Sequence, residues 1–239
     1  VTERIFLGSV LYRSIHVGFA ESMTLFQRTM DRDGVPFIYG AVSGDALVSR
    51  SRSIVASAFL RSDCDVLLTI DSDIWFRPQD AIDLAQHCSD GGVDLIAAMY
   101  LTRGKAQGGG VQPALILPDG QDIIFQPAAQ PVEPTFISTG FMAVHRRVFE
   151  RLAEDLPLCH TTWEEGGWVP FYMPFCIPDA EDGHLYLSED WALCQRARDA
   201  GFKCWIDPSI RIGHIGEYML TLEDYGRTER VPPQPLRFR

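Results

Sequence analysis

The chain has 239 residues, of which 46% are hydrophobic and 22% charged, the balance of a globule with one large core. Its 21 basic and 32 acidic residues give a formal charge of −11, which excludes the broad basic face of a general nucleic-acid binder but not a local phosphate pocket. No apolar run reaches the roughly 18 residues that would cross a bilayer.

Strand-like and helix-like segments alternate through the first hundred residues. Residues 5–11 form an apolar run that predicts a first strand. Over 17–30, Phe19, Met23, Phe26 and Met30 recur every three or four positions, the period of a helix. Residues 36–42 read as a second strand. Residues 51–60 read as a helix with Ile54, Val55, Ala58 and Phe59 inward. Residues 66–70, Val-Leu-Leu-Thr-Ile, run unbroken, which suggests a strand covered on both faces. Pro78 opens a helix that runs to 88, and residues 93–99 form another buried strand. This order predicts an α/β fold with a mostly parallel sheet, whose ligands bind beyond the carboxyl ends of the strands.

The second half is less regular. Residues 104–110 are a glycine-rich loop, and residues 113–126 suggest two short strands around the turn Pro118-Asp119-Gly120. A strand from 135 to 144, ending near Gly140, precedes a helix over 146–153. Residues 157–186 are irregular and rich in Trp163, Trp168, Phe171, Tyr172 and Phe175, aromatics suited to a sugar-stacking lid or to a core. Ser188 caps a helix that runs to 200, residues 204–212 form a last strand, and residues 226–239 form an extended tail. The N-terminus, Val-Thr-Glu-Arg, lacks the features of a signal peptide. The six cysteines are scattered with no CxxC pair, so a reduced, cytoplasmic protein without a zinc cluster is expected.

Three places carry chemistry. Asp71-Ser72-Asp73 follows the buried strand 66–70 and delivers two carboxylates to its carboxyl end. Hard divalent cations take such oxygen ligands together with substrate phosphates. Glu189-Asp190 opens the helix after Ser188, where acids also suit the helix dipole. His214, between Gly213 and Gly216 after the last strand, reads as an accessible imidazole, a common metal ligand.

In their order and spacing these motifs resemble the GT-A fold glycosyltransferases, near family 2, over roughly residues 3–216. The resemblance implies that Asp71 and Asp73 hold Mn2+ or Mg2+ against the diphosphate of a nucleotide-sugar, Asp73 foremost, with His214 completing the shell. It implies that Asp190, with Glu189 second, acts on the acceptor as base. Ser138-Thr139-Gly140 resembles the family's glycine-containing strand at the donor sugar, and Ser49-Arg50-Ser51-Arg52 its arginine-bearing helix start beside the phosphates. Ser9 and Tyr12 at the first strand's end, Asp45 after the second strand, Ser72 and Gly140 complete the implied nucleotide-sugar set. The expected protein is a metal-dependent glycosyltransferase that moves a sugar from a UDP- or GDP-sugar to a saccharide or other hydroxyl. Its single catalytic domain would span residues 1–225, with the nucleotide half at about 1–103 and the acceptor half at about 104–225.

Other readings differ in particular residues. A nucleotidyltransferase of the same fold would want a Gly-rich basic loop after the first strand, where Gly8-Ser9-Val10-Leu11-Tyr12-Arg13 stands. A haloacid dehalogenase-like phosphatase would place its Asp-x-Asp on the first strand and need a lysine. Here only Lys105 and Lys203 are present. A glycan-binding relative without catalysis would have no use for Asp71, Asp73, Asp190 and His214 together.

Overall fold

A computed structural model describes residues 4–90, 92–105, 111–124, 126, 129–160, 166–179, 183–216 and 219–225. Trp163, most of the glycine-rich loop and the tail 226–239 lie outside them. The first half alternates β1 (Ile5–Leu11), α1 (Val17–Asp33), β2 (Phe37–Ser43), α2 (Val48–Arg61), β3 (Val66–Ile70), the short β4 (Ile74–Trp75), α3 (Pro78–Asp90) and β5 (Leu95–Ala98). Short strands follow: β6 (Leu101–Lys105), β7 (Val111–Pro113), β8 (Leu115–Ile116) and β9 (Phe136–Ile137). Then come β10 (Phe141–His145) and α4 (Arg146–Asp155), the hairpin β11 (Phe175–Asp179) and β12 (Gly183–Leu187), α5 (Glu189–Asp199), β13 (Cys204–Asp207), β14 (Gly213–Ile215) and β15 (Met219–Leu220).

The six-stranded central sheet has the order β13-β5-β10-β3-β1-β2. Its pairs are parallel except around β10, which runs antiparallel to both β3 and β5. The mixed α/β fold with a mainly parallel sheet is as expected; the antiparallel insertion is not. Side chains alternate across the sheet. Leu67 of β3 faces the core under α2, α4 and α5, while Val66, Leu68 and Ile70 face the core under α1 and α3. That two-sided burial explains why the 66–70 run shows no polar alternation.

Several expected elements differ. α2 begins at Val48, so Arg50 and Arg52 lie inside the helix. Its buried residues include Ser51, Arg52, Ser53 and Ser57, whereas Ile54 and Ala58 are half-buried. The serines are buried because another segment covers them: Ser53 Oγ accepts from the Tyr172 amide and Ser57 Oγ from the Val169 amide. Trp168, Phe171 and Tyr172 are therefore core residues. β8 pairs with β9 and not across Pro118-Asp119-Gly120. The strand expected over 135–144 breaks at Ser138–Gly140, and the one expected over 204–212 stops at Pro208, which has no amide proton to continue a ladder. Residues 157–186 include the hairpin β11–β12. Among the described residues no helix is long and apolar enough to cross a membrane.

Candidate functional site

The Asp71-Ser72-Asp73 turn is held by three different segments. The Asp71 amide donates to the Gly140 carbonyl (2.8 Å), the Ser72 carbonyl accepts from the His16 amide (3.0 Å), and the Asp73 carbonyl accepts from the Ile215 amide (2.7 Å). Each backbone contact fixes where a carboxylate leaves the end of β3. The turn opens on a cleft of about 230 Å3 lined by Val10, Leu11, Tyr12, Asp45, Val48, Ser51, Asp71, Ser72 and Asp73. Five of the residues that the sequence singles out thus line one cavity: Tyr12, Asp45, Asp71, Ser72 and Asp73. It lies at the carboxyl ends of β1 and β3, where open α/β sheets bind ligands.

β4 continues from the turn and pairs antiparallel with β14, setting His214 opposite Ile74. His214 is therefore inside a strand and 8% exposed, which corrects the expectation of an accessible loop histidine. Its Nε2 stands 3.5 Å from Asp73 Oδ2, and its Nδ1 is 2.7 Å from the Leu101 carbonyl. A carbonyl can only accept, so neutral His214 carries its proton on Nδ1 and turns the Nε2 lone pair toward the carboxylate. A metal-bound histidine takes this tautomer, with its other nitrogen donating to a carbonyl. An imidazole nitrogen beside a carboxylate suits a divalent cation such as Mn2+, so Asp73 and His214 fit the metal that the resemblance implies.

Asp71 points elsewhere. Both its oxygens accept from Arg52, at 2.8 Å each, a bidentate pair. Among the described residues no group of three or more such side chains surrounds one point ready for a metal. The expected three-ligand set is therefore split, with Asp73 and His214 together and Asp71 turned to an arginine. Arg52 is 5% exposed and occupied by carboxylates, so it is not the open phosphate ligand expected of it. Arg50 is engaged too, bidentate to Asp45 at 2.7 and 2.6 Å. That pairing holds the Asp45 carboxyl down at about 2, and Asp45 Oδ1 also accepts from the Leu47 amide at the start of α2. Ser9 is buried in β1, 1% exposed, and is not among the cleft's lining residues. The neighbouring Gly8 faces Val55 of α2, so Ser9 points to the opposite face of the sheet and is not brought to its expected nucleotide contact.

Asp190 lies in the first turn of α5, behind the same corner. Thr139 donates its hydroxyl to Asp190 Oδ1, and Arg52 Nε is 3.9 Å from that oxygen. Ser188 occupies the cap position, but its side chain makes no capping hydrogen bond. Burial first, then Glu189 and Asp71 nearby, raise the Asp190 carboxyl from 3.8 to about 6, against the pull of Arg52 and Thr139. The helix N-terminus leads one to expect a charged, weakly basic Asp190. Desolvation outweighs that dipole here.

Gly140 makes this proximity possible. A Cβ there would sit 2.6 Å from Tyr100 Oη and 2.8 Å from Asp71 Oδ2. Tyr100, whose ring meets that of His214 edge-on at 4.9 Å, belongs to the site although sequence reasoning gave it no role, and Thr139, read there only within the donor-sugar segment, bonds Asp190. Tyr100 had a signal: a hydroxyl placed just past an apolar strand, as Asp71 is past β3. Burial pushes its phenol well up, so it stays protonated. Trp191 stacks on Phe136 at 4.8 Å and packs against the core.

No protein-family model matches the chain, and no curated protein matches it in sequence. Solved structures match in shape. The structure of GalNAc-T7 with UDP, GalNAc and Mn2+ aligns over 92% of this chain and 44% of its own, with a TM-score of 0.52 and 12% identity. Staphylococcus aureus TarS with UDP-GlcNAc aligns over 86% of this chain and 56% of its own, with a TM-score of 0.46 and 10% identity. A Drosophila β-1,4-galactosyltransferase 7 with manganese, UDP-Gal and xylobiose aligns over 85% and 64%, with a TM-score of 0.42 and 14% identity. The chain spans about half the length of these proteins. With the sheet topology, the GalNAc-T7 likeness assigns the chain the GT-A fold of glycosyltransferases. At such identity it carries the architecture and not the chemistry.

Proposed function

We propose that this chain is a metal-dependent glycosyltransferase that moves a sugar from a nucleoside-diphosphate-sugar to a hydroxyl acceptor. The observation that carries this reading is the convergence at one sheet edge. Tyr12, Asp45, Asp71, Ser72 and Asp73 share a cleft, His214 flanks Asp73, and Asp190 stands across Arg52 from Asp71. The UDP and Mn2+ bound by GalNAc-T7, which shares the fold, are the ligands to try first. Residues 1–225 are taken as one catalytic unit, with the nucleotide half up to about 103 and the acceptor half after it.

In this reading the nucleoside occupies the cleft beside Tyr12 and Asp45. Asp73 and His214 hold the divalent cation. That cation supplies a Lewis acid for the charge left on the diphosphate. The acceptor oxygen bonds to the anomeric carbon as the bond from that carbon to the phosphate oxygen breaks, and Asp190 takes the hydroxyl proton. A carboxyl near 6 suits this role, being largely ionised at neutral pH yet more basic than an ordinary aspartate. Attack on the face opposite the departing phosphate, which a base on the acceptor side assists, inverts the anomeric configuration. Thr139 keeps Asp190 in place, and Arg52 keeps Asp71.

The test is a panel of UDP- and GDP-sugars with Mn2+ and simple saccharide acceptors, with products followed by mass spectrometry and NMR. Formation of a glycoside with inverted configuration, lost in Asp73→Ala, is expected. Absence of transfer and of donor hydrolysis across the panel would overturn the reading.

A further inference from the structure

Arg52 is placed unlike an ordinary ion-pair partner. It is 5% exposed, and its two terminal nitrogens are both committed to Asp71. Its Nε–H is buried and has no partner within hydrogen-bonding distance. Asp190 Oδ1 stands 3.9 Å from this nitrogen. The Tyr172 hydroxyl, in the same buried corner, likewise lacks a partner. Buried donors are almost always satisfied, so an orphaned N–H facing a carboxylate calls for an explanation.

The geometry points to Arg52 as a positioning residue that holds Asp71 and Asp190 at a fixed separation, so that the donor and acceptor sides of the site share one guanidinium. This rests on the function proposed above. Asp71 comes from the end of β3 and Asp190 from the start of α5. Among the described residues the ion pairs of Arg52 link these two elements directly. The planar fork suits the task, since three N–H groups in fixed directions can face two carboxylates at once. A lysine ammonium, a point charge on a flexible stem, cannot reproduce that. The groups around Asp190 are Arg52, Glu189, Asp71 and the Thr139 hydroxyl, with the Tyr172 phenol and the Cys194 thiol beside them. Arg52 is the cation in that set. The 3.9 Å gap is longer than a hydrogen bond and within the reach of an ion pair.

Two measurements test this. The first uses Arg52→Lys with UDP-GalNAc, Mn2+ and a saccharide acceptor. A positioning role lowers kcat by about 10–100-fold, the cost of misplacing a catalytic group, while the donor KM stays within about twofold. A raised donor KM with kcat unchanged would make Arg52 a phosphate ligand and overturn the proposal. So would unchanged kinetics. The second needs neither turnover nor a folded Arg52 variant: the 15Nε–Hε resonance of Arg52, compared between the wild type and Asp190→Asn. Loss of the carboxylate should move that resonance and speed its hydrogen exchange. An identical resonance in both proteins would overturn the proposal. If the wild type transfers no sugar, the functional reading fails, and the resonance still decides the role of Arg52.

Discussion

His214 Nε2 and Asp73 Oδ2 face each other at 3.5 Å, while the other imidazole nitrogen is tied to the Leu101 carbonyl. With Nδ1 donating, a neutral His214 presents a lone pair to a negative oxygen, which is repulsive. A cation between them, whether a proton or a metal, removes the repulsion. The paired strands β4 and β14 fix this approach, so backbone register sets the imidazole beside the carboxylate.

His214→Ala should therefore weaken Mn2+ binding by about tenfold or more, as read from the free-ion electron paramagnetic resonance signal. The fold should survive, because the ladder of β14 is backbone-made. Unchanged Mn2+ affinity would return His214 to a purely structural role.

Asp190 gives a stability prediction with a definite sign. Its carboxyl is raised from 3.8 to about 6, so the folded protein binds this proton more tightly than the unfolded chain does. Its contribution to stability is full below about pH 4 and is lost as pH rises through about 6. The permanently neutral Asp190→Asn should then be more stable than the wild type at pH 8, by on the order of 1–3 kcal/mol, and equal to it near pH 4. Thermal melts at the two pH values check this. A variant less stable at pH 8 would show that the charged carboxylate is favoured in the fold.

The same substitution should cost turnover. If Asp190 takes the acceptor proton, Asp190→Asn lowers kcat by roughly 10²–10⁴ and leaves donor affinity intact. A product of retained anomeric configuration would exclude that role whatever the rate.

Gly140→Ala would place a methyl group 2.6 Å from Tyr100 Oη and 2.8 Å from Asp71 Oδ2. The expected cost is about 1–3 kcal/mol, the usual penalty for overpacking. Gly140→Ala combined with Tyr100→Phe removes the nearer oxygen and should recover part of it. Chemical denaturation of the single and double variants measures both. No loss in the single variant would mean that the corner is looser than its contacts indicate.

Local chemistry made part of this legible in the sequence. The 66–70 run declared its two-sided burial by lacking polar alternation, and Asp71 and Asp73 stood out because they end it. Long-range placement was not legible. β10 enters between β3 and β5 after a long excursion through short strands, and no local period announces an antiparallel insertion. His214 reads as a loop residue between glycines, yet pairing with β4 puts it in a strand. Arg50 and Arg52 look like open cations at a helix start, while their occupation by Asp45 and Asp71 depends on folding. For Asp190 the helix N-terminus was visible and the burial that overrides it was not.

The central claim is that a nucleoside diphosphate and a divalent metal bind this cleft as one unit. Calorimetric titration of UDP into the wild type and Asp73→Ala, each with Mn2+ and then with excess chelator, tests it directly. UDP should bind the wild type with Mn2+ at least about tenfold more tightly than with chelator, because each completes the other's coordination. Asp73→Ala should lose that difference. UDP binding equally tight with chelator, or equal in both proteins, would contradict the account.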